Sequence, residues 1–319
     1  MSLIESACSL LEAVHEVDRR FEMEDYEGGI GRWCSGCGDY SVLTAAQRLL
    51  LSEQLPPEQV AFISGIGCSS RFPHYMGTYG FHGIHGRALP FATGVKLARP
   101  DLHVFVVMGD GDCCSIGAAH WIHALRYNTD MVALLLDNNI YGLTKKQTSP
   151  TTPQGYPSNT QPHGSFLPAL NPLTVSLGVT NASFVAQTAD WAPGHLYATL
   201  QAAHRHKGFA FIRILQRCPK WTGDIFEEAV RKPAKTELLV HPRGVRDEDS
   251  EKIFTTHVPH DPADIHAARE LAEDPSRVLL GLFYYDPSRP VYNETRKLPA
   301  HTAEEKIEIL DEEMDRYAV

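Results

Sequence analysis

The chain has 319 residues, of which 43% are hydrophobic and 21% charged. These are the proportions of an ordinary globular protein and exclude a disordered chain, a collagen-like fibre and a coiled coil. Its 29 basic residues against 39 acidic ones leave a net charge of −10; an acidic surface with no visible basic patch repels phosphate backbones, so no nucleic-acid partner is expected. At roughly 150 residues per domain, the length allows two domains or one large α/β domain with an appendage.

The first 27 residues hold one helix-like stretch at 4–17. They carry acids among the apolar positions and have no basic n-region, unlike a secretory signal. The longest apolar runs, 104–108 and 131–136, fall far short of the roughly 20 residues that span a bilayer. The chain therefore reads as soluble and cytoplasmic, with no membrane partner. Runs rich in Val, Ile, Leu or Phe at 60–64, 103–108 and 131–136 stop at Gly or Asp, as buried parallel strands do. Helical patterns lie at 40–54, 89–98 and 115–127. Residues 144–172 form a long aperiodic stretch of Thr, Pro, Ser, Gln and Asn, and a loop of that length in a compact domain is usually functional. A strand at 183–186, a helix at 195–206 and a strand at 209–215 follow.

Alternation of strand and helix predicts an α/β fold, a mostly parallel sheet with helices on both faces. Beyond Cys218 the chain turns charged and proline-punctuated, and no further βα alternation is expected there. The organisation read from this is an N-terminal extension (1–27), a binding domain (28–225) and a C-terminal extension (226–319). The extension ends in an acidic helix striped with Ile307, Leu310, Met314 and Tyr317, which would pack on its own domain or on a partner.

Gly65-Ile66-Gly67-Cys68, Gly109-Asp110-Gly111-Asp112, Asp137-Asn138-Asn139 and Cys218 each follow a predicted strand. In a parallel sheet all four segments converge on one edge, where open α/β sheets bind ligands. Glycines at a strand end let the backbone approach a diphosphate, and the following helix points N–H groups at it. Asp110 and the Asn138 side-chain oxygen are hard ligands suited to Mg²⁺, with the Ile140 carbonyl a natural third. A dinucleotide fingerprint fails, because Cys114 and Ser70 stand where third glycines would be. The spacing from Asp110 to Asn138, continued by Asn139-Ile140-Tyr141-Gly142-Leu143-Thr144, resembles the thiamin diphosphate motif.

Cys34-Ser35-Gly36-Cys37 is a C-x-x-C pair. Alone it is compatible with a redox dithiol, half a zinc site or half an iron–sulfur site. No strand precedes it to present a thioredoxin-like pair, and no second pair completes a common zinc site. Cys68 and Cys218 lie at the convergent edge, so with Cys34 and Cys37 four thiolates there could hold a 4Fe–4S cluster. Cys113 and Cys114 are read as helix-wall packing and Cys8 as an ordinary thiol. His85, between a loop and a helix, is read as a donor to diphosphate or to bound substrate. Lys145 and Lys146 follow the metal loop; an ammonium there would attract a substrate carboxylate.

Trp33-Cys34-Ser35-Gly36-Cys37-Gly38, Gly65 to Ser69, His85-Gly86-Arg87-Ala88, Gly109 to Asp112 and Asn138 to Thr144 occur in that order. Together they resemble the β subunit of a 2-oxoacid:ferredoxin oxidoreductase, from about Gly31 to Cys218. The resemblance implies that Cys34, Cys37, Cys68 and Cys218 ligate a 4Fe–4S cluster. It implies that Asp110, Asn138 and Ile140 hold Mg²⁺, and that Ile66, Gly67, Cys68, Ser69, His85, Gly111, Asp112, Gly142 and Leu143 line thiamin diphosphate. The implied activity is reversible oxidative decarboxylation of a 2-oxoacid to acyl-CoA and CO₂, with coenzyme A as co-substrate and ferredoxin as electron acceptor. Gly67 to Tyr75 and Lys145 look more like the 2-oxoglutarate branch than the pyruvate branch. No motif supplies the carboxylate that activates the thiamin pyrimidine, which in the family comes from an α subunit; an (αβ)₂ assembly is therefore expected. Two other readings stand beside this one. A cluster-free thiamin decarboxylase or synthase would lack iron and sulfide. A non-catalytic binding protein with a structural zinc would hold zinc and not bind thiamin diphosphate.

Overall fold

The computed structural model describes residues 20–295 and 301–317; the helix expected at 4–17 and Cys8 lie outside them. Three runs predicted as strands form β1 (Val60–Ser64), β3 (His103–Gly109) and β4 (Met131–Asp137), while β2 (Tyr79–His82) is an exposed strand not foreseen. Between them lie α1 (Asp39–Ser52), α2 (Ala88–Ala98) and α3 (Ala118–Tyr127). Next come α4 (Pro172–Gly178), β5 (Phe184–Ala189), α5 (Pro193–Arg205) and β6 (Phe209–Leu215).

The expectation of no further alternation beyond Cys218 is corrected. Residues after it form α6 (Glu227–Arg231), β7 (Thr236–Val240), α7 (Glu248–Ile253), β8 (Thr256–Pro259), α8 (Ile265–Glu273) and β9 (Val278–Tyr285). Dense charge and Pro259, at the end of the exposed β8, masked these strands; edge strands tolerate both features. The last described helices are α9 (Tyr292–Thr295) and α10 (Ala303–Arg316).

The nine strands among the described residues join one sheet in the order β2-β1-β3-β4-β6-β5-β9-β7-β8. Every neighbouring pair is parallel except β5 with β9. The sheet thus holds a six-stranded and a three-stranded parallel block running in opposite directions. Only the first block sends the C-terminal ends of β1, β3, β4 and β6, which are direct neighbours, to the edge predicted to bind ligand.

The central strands are apolar throughout because both faces are covered. Phe62, Phe105, Leu134 and Ile212 point to the face covered by α1 and α5, where Leu49, Leu50, Leu196 and Leu200 meet them. Their neighbours Ile63, Val106, Leu135 and Phe211 point to the opposite face, with Leu89, Trp121, Leu125 and Leu177. This period-2 division sets the register of the whole sheet. The apolar stripe of α10 remains exposed: Ile307, Leu310, Met314 and Tyr317 pack on nothing substantial among the described residues. No helix among the described residues is long and apolar enough to cross a membrane.

Candidate active site

The four segments that follow β1, β3, β4 and β6 meet as expected at one edge. A cavity of about 110 Å³ is lined there by Ile66, Gly67, Cys68, Ser69, His85, Gly111, Asp112, Gly142 and Leu143, together with Asp110, Asn138 and Ile140. Gly111 approaches the ring of Tyr141 so closely that an added Cβ would sit 2.0 Å from it, and the Tyr141 hydroxyl donates to the Gly111 carbonyl at 3.0 Å. Just past this loop, Asp112–Ile116 makes a π-helical turn, an irregularity frequent at functional sites.

Asp112 ties three loops together. Its Oδ1 accepts from the N–H groups of Ile66 (3.1 Å) and Gly86 (2.7 Å) and from His85 Nδ1 at 2.5 Å. Because a carboxylate oxygen accepts, the His85 proton sits on Nδ1 and Nε2 is left for the cavity. Asp112 Oδ2 is buried against Gly65 with no hydrogen-bond partner.

Asp110 is buried, and Oδ2 receives the hydroxyls of Ser149 (2.5 Å) and Thr151 (2.7 Å). Thr151 also lies 2.8 Å from Oδ1 of Asp137. One hydroxyl proton therefore faces two buried carboxylates. Burial first, and the charge of Asp137 second, push the Asp110 carboxyl up to about 7 against the opposing hydroxyl bonds. Arg213 answers Asp137 at 2.6 Å; among the described residues Asp110 has no such cation, and a bound divalent cation would supply one. Asn138 offers its oxygen to the Ile140 N–H (3.2 Å) and its amide N–H to Gln216 Oε1 (2.9 Å). The donor set of one carboxylate, one amide oxygen and a backbone carbonyl fits Mg²⁺.

Beside this cavity lies another of about 240 Å³, walled by Cys34, Cys37, Cys68 and Cys218 with Trp33, Arg71, Lys145 and Trp221. Cys68, Asn138, Gly142 and Leu143 line both cavities. Indole N–H groups hold the shared wall: Trp33 donates to the Cys68 carbonyl (2.7 Å) and Trp221 to the Gly142 carbonyl (3.0 Å). Burial, then the nearby Asp39 carboxylate, pushes the Cys68 thiol up to about 12 and raises Cys37 further; burial also raises Cys218. Thiolates here need a positive centre between them. Among the described residues no three His, Cys, Asp or Glu side chains gather closely enough for a single metal ion. Four cysteines around one cavity match the number and type of donors that hold a 4Fe–4S cluster.

Cys113 and Cys114 are buried in the core against α2 and α3, away from the cysteine cavity, as helix-wall packing requires. Lys145 lies at the cysteine cavity rather than the diphosphate one, and it and Lys146 adopt left-handed φ of 72° and 58°. Lys146 turns its ammonium over the Tyr156 ring at 5.4 Å.

Several residues of the site carry no sequence signature. Ser149 and Thr151 come from the long loop, and only the loop's length and polarity hinted at them. Asp39 is fully buried beneath the cysteines, its carboxyl pushed up to about 7 by burial against an opposing hydrogen bond from Cys37. Asp190 pairs with Arg217 through Nε at 3.0 and 3.1 Å, directly behind Gly38. Gln216 bridges Asn138 and Cys37. Ser149 and Thr151 lie 39 and 41 positions from Asp110, and Gln216 lies 78 from Asn138 and 179 from Cys37, so no local pattern contains these pairings.

A cavity at the C-terminal ends of parallel strands, lined by a buried carboxylate, an amide and glycine loops, is the kind of site in which thiamin enzymes hold their cofactor. Residues 65–214 match the family described as thiamine pyrophosphate enzyme, C-terminal TPP binding domain. The 2-oxoglutarate oxidoreductase subunit KorB of Mycobacterium tuberculosis is 49% identical over 212 residues, 66% of this chain and 56% of that protein. The match thus spans little more than half the length of that relative. Subunit beta of 2-oxoacid:ferredoxin oxidoreductase 1 from Aeropyrum pernix is 38% identical over 267 residues, 82% of this chain and 80% of that one. A solved 2-oxoglutarate:ferredoxin oxidoreductase from Magnetococcus marinus, with 2-oxoglutarate, coenzyme A and succinyl-CoA bound, superposes with a TM-score of 0.77 at 33% identity. That superposition covers 93% of this chain and 97% of the other. The chain belongs to the family of 2-oxoacid:ferredoxin oxidoreductase β subunits.

Proposed function

We propose that the chain is the β subunit of a 2-oxoglutarate:ferredoxin oxidoreductase, converting 2-oxoglutarate and coenzyme A to succinyl-CoA and CO₂ and passing two electrons to ferredoxin, reversibly. The observation that carries this reading is the wall shared by the diphosphate cavity and the four-cysteine cavity. A cofactor that releases electrons and a cluster that accepts them one at a time must be close neighbours.

Thiamin diphosphate, when bound, supplies the electron sink for the carbanion left by decarboxylation. In this reading Asp110, Asn138 and the Ile140 carbonyl hold Mg²⁺, while Ile66, Gly67, Cys68, Ser69, Gly111, Asp112, Gly142 and Leu143 line the diphosphate. His85, oriented by Asp112, presents Nε2 to donate or accept a proton at the reacting end. Cys34, Cys37, Cys68 and Cys218 hold a 4Fe–4S cluster. Lys145, exposed at the mouth, attracts the distal carboxylate of the substrate. The chain has no recognised carboxylate for the thiamin pyrimidine, so the working unit includes an α subunit, as (αβ)₂.

The test is anaerobic purification of the co-expressed αβ complex, iron and sulfide analysis, and EPR after dithionite reduction, followed by CoA-dependent reduction of ferredoxin with 2-oxoglutarate and with pyruvate. About four irons beyond those of the α subunit, with 2-oxoglutarate preferred, is the expected result. Zinc in place of iron would refute the electron path, and a preference for pyruvate would refute the substrate.

A further inference from the structure

Gln216 is the first residue after β6 and is fully buried. Each polar group of its side chain is engaged. Oε1 accepts the Asn138 Nδ2–H at 2.9 Å. Nε2 donates one hydrogen to the Arg217 carbonyl at 2.5 Å and one to Cys37 Sγ at 3.4 Å. Its backbone N–H bonds the Asp137 carbonyl at 3.0 Å.

The amide can sit only one way round. Flipped, its oxygen would face the Arg217 carbonyl and the sulfur, and its N–H groups would face the Asn138 amide, so all three contacts would turn repulsive. In the observed orientation Gln216 dictates that of Asn138: with Nδ2 held by Gln216, the Asn138 oxygen faces the Ile140 N–H and the metal side. One side chain thus touches a ligand of the metal site at one end and a sulfur of the cysteine site at the other.

We propose that Gln216 is a positioning residue that couples the two sites, fixing the Asn138 oxygen for Mg²⁺-diphosphate binding and donating an N–H to Cys37 that raises the reduction potential of the cluster. An N–H aimed at a ligating sulfur stabilises the extra electron of the reduced cluster, and hydrogen bonds to sulfur are among the features that set such potentials. A partner that orients a metal ligand is typically worth 10–100-fold in affinity. This inference rests on the assignments of the cysteines and of Asn138 made above.

The experiment uses the αβ complex and two variants. Gln216→Met keeps the volume and removes both interactions; Gln216→Glu keeps an acceptor for Asn138 and loses the amide donor to Cys37. The readouts are iron per complex, the midpoint potential by EPR-monitored titration, and the dissociation constant for Mg²⁺-thiamin diphosphate by calorimetry. Gln216→Met should retain iron and bind Mg²⁺-thiamin diphosphate about 10–100-fold more weakly. Its oxidised-to-reduced ratio at a set potential should rise about tenfold, equivalent to about 59 mV for one electron. Gln216→Glu should lower the potential while leaving the dissociation constant within about threefold of wild type. Midpoints unchanged in both variants, or effects that track only loss of fold, would overturn the coupling. A wild-type complex without iron at these cysteines would overturn the cluster assignment itself, a result visible before any variant is made.

Discussion

The hinge between the C-x-x-C loop and the Cys218 strand end rests on one glycine, and filling it should be costly. Gly38 has helical φ and ψ of −63° and −21°, so alanine meets no conformational objection there. The objection is spatial: an added Cβ would lie 2.0 Å from Asp190 Oδ2 and 2.6 Å from its Cγ, more than about 1 Å inside ordinary contact. Asp190 cannot easily retreat, because it is buried and held by Arg217, while the Gly38 N–H bonds the Arg217 carbonyl at 3.1 Å. Overpacking costs about 1–3 kcal/mol, and disturbing a buried ion pair up to about 3–5 kcal/mol. Arg217 is 38% exposed, so solvent screening trims the second figure, and about 3 kcal/mol is expected for Gly38→Ala. At about 2 °C per kcal/mol for a chain of this size, Tm should fall by about 6 °C. Thermal denaturation by circular dichroism would measure it, with iron content reporting whether the cysteine loop still meets Cys218. The decisive comparison is a double-mutant cycle, because Asp190→Ala removes the carboxylate atoms at 2.0 and 2.6 Å and leaves only its Cβ, 3.0 Å away. Gly38→Ala added to Asp190→Ala should cost less than about 0.5 kcal/mol. A Tm within about 1 °C of wild type for Gly38→Ala alone, or additive losses in the cycle, would refute the argument.

Thr151→Val should leave the fold intact, because valine matches the shape, but remove the proton shared by Asp110 and Asp137; Mg²⁺-thiamin diphosphate affinity measured by calorimetry should fall about 10–100-fold. Burial lowers both His195 and His206 to about 4. Each therefore contributes stability that is fully present above the unfolded value of about 6.5 and is lost as pH falls towards 4, on the order of 3 kcal/mol per residue at the limit. Melting curves from pH 7.5 to 5 should drop less steeply for His206→Gln than for wild type, and parallel curves would contradict the assignment. Cys113→Ser should keep full iron content and lose only about 1 kcal/mol from burying a hydroxyl in an apolar wall, whereas Cys37→Ser should lose iron; equal iron loss in both would bring Cys113 to the cluster.

Five of the six strands of the first block were legible because they are short apolar runs, most of them closed by Gly or Asp, and because fully buried parallel strands need no alternation to be recognised. The second block was not. In β7 and β8 charged or polar residues such as Glu237, Thr256 and His257 interrupt the pattern, and β8 lies at the sheet edge, where half the backbone faces solvent. Strand β2 was missed for the same reason, since all four of its residues are exposed. Sequence patterns report burial, and an edge strand has little to report.

The site divides along a similar line. The side chains that line the two cavities sit in short contiguous motifs, so Cys34, Cys37, Cys68, Asp110, Asn138 and His85 could be named from spacing and resemblance. Their supports could not. Asp190 behind Gly38, Thr151 between Asp110 and Asp137, and Gln216 between Asn138 and Cys37 act through contacts that exist only once β4, β5 and β6 lie side by side and the long loop has folded over them. The sequence by itself determined which chemistry gathers at the sheet edge, because the identity of a donor atom is local. Only the tertiary structure decided which protons, counter-charges and orientations that chemistry meets, because these are set by neighbours remote in the chain and by burial, which strengthens every polar contact it isolates from water.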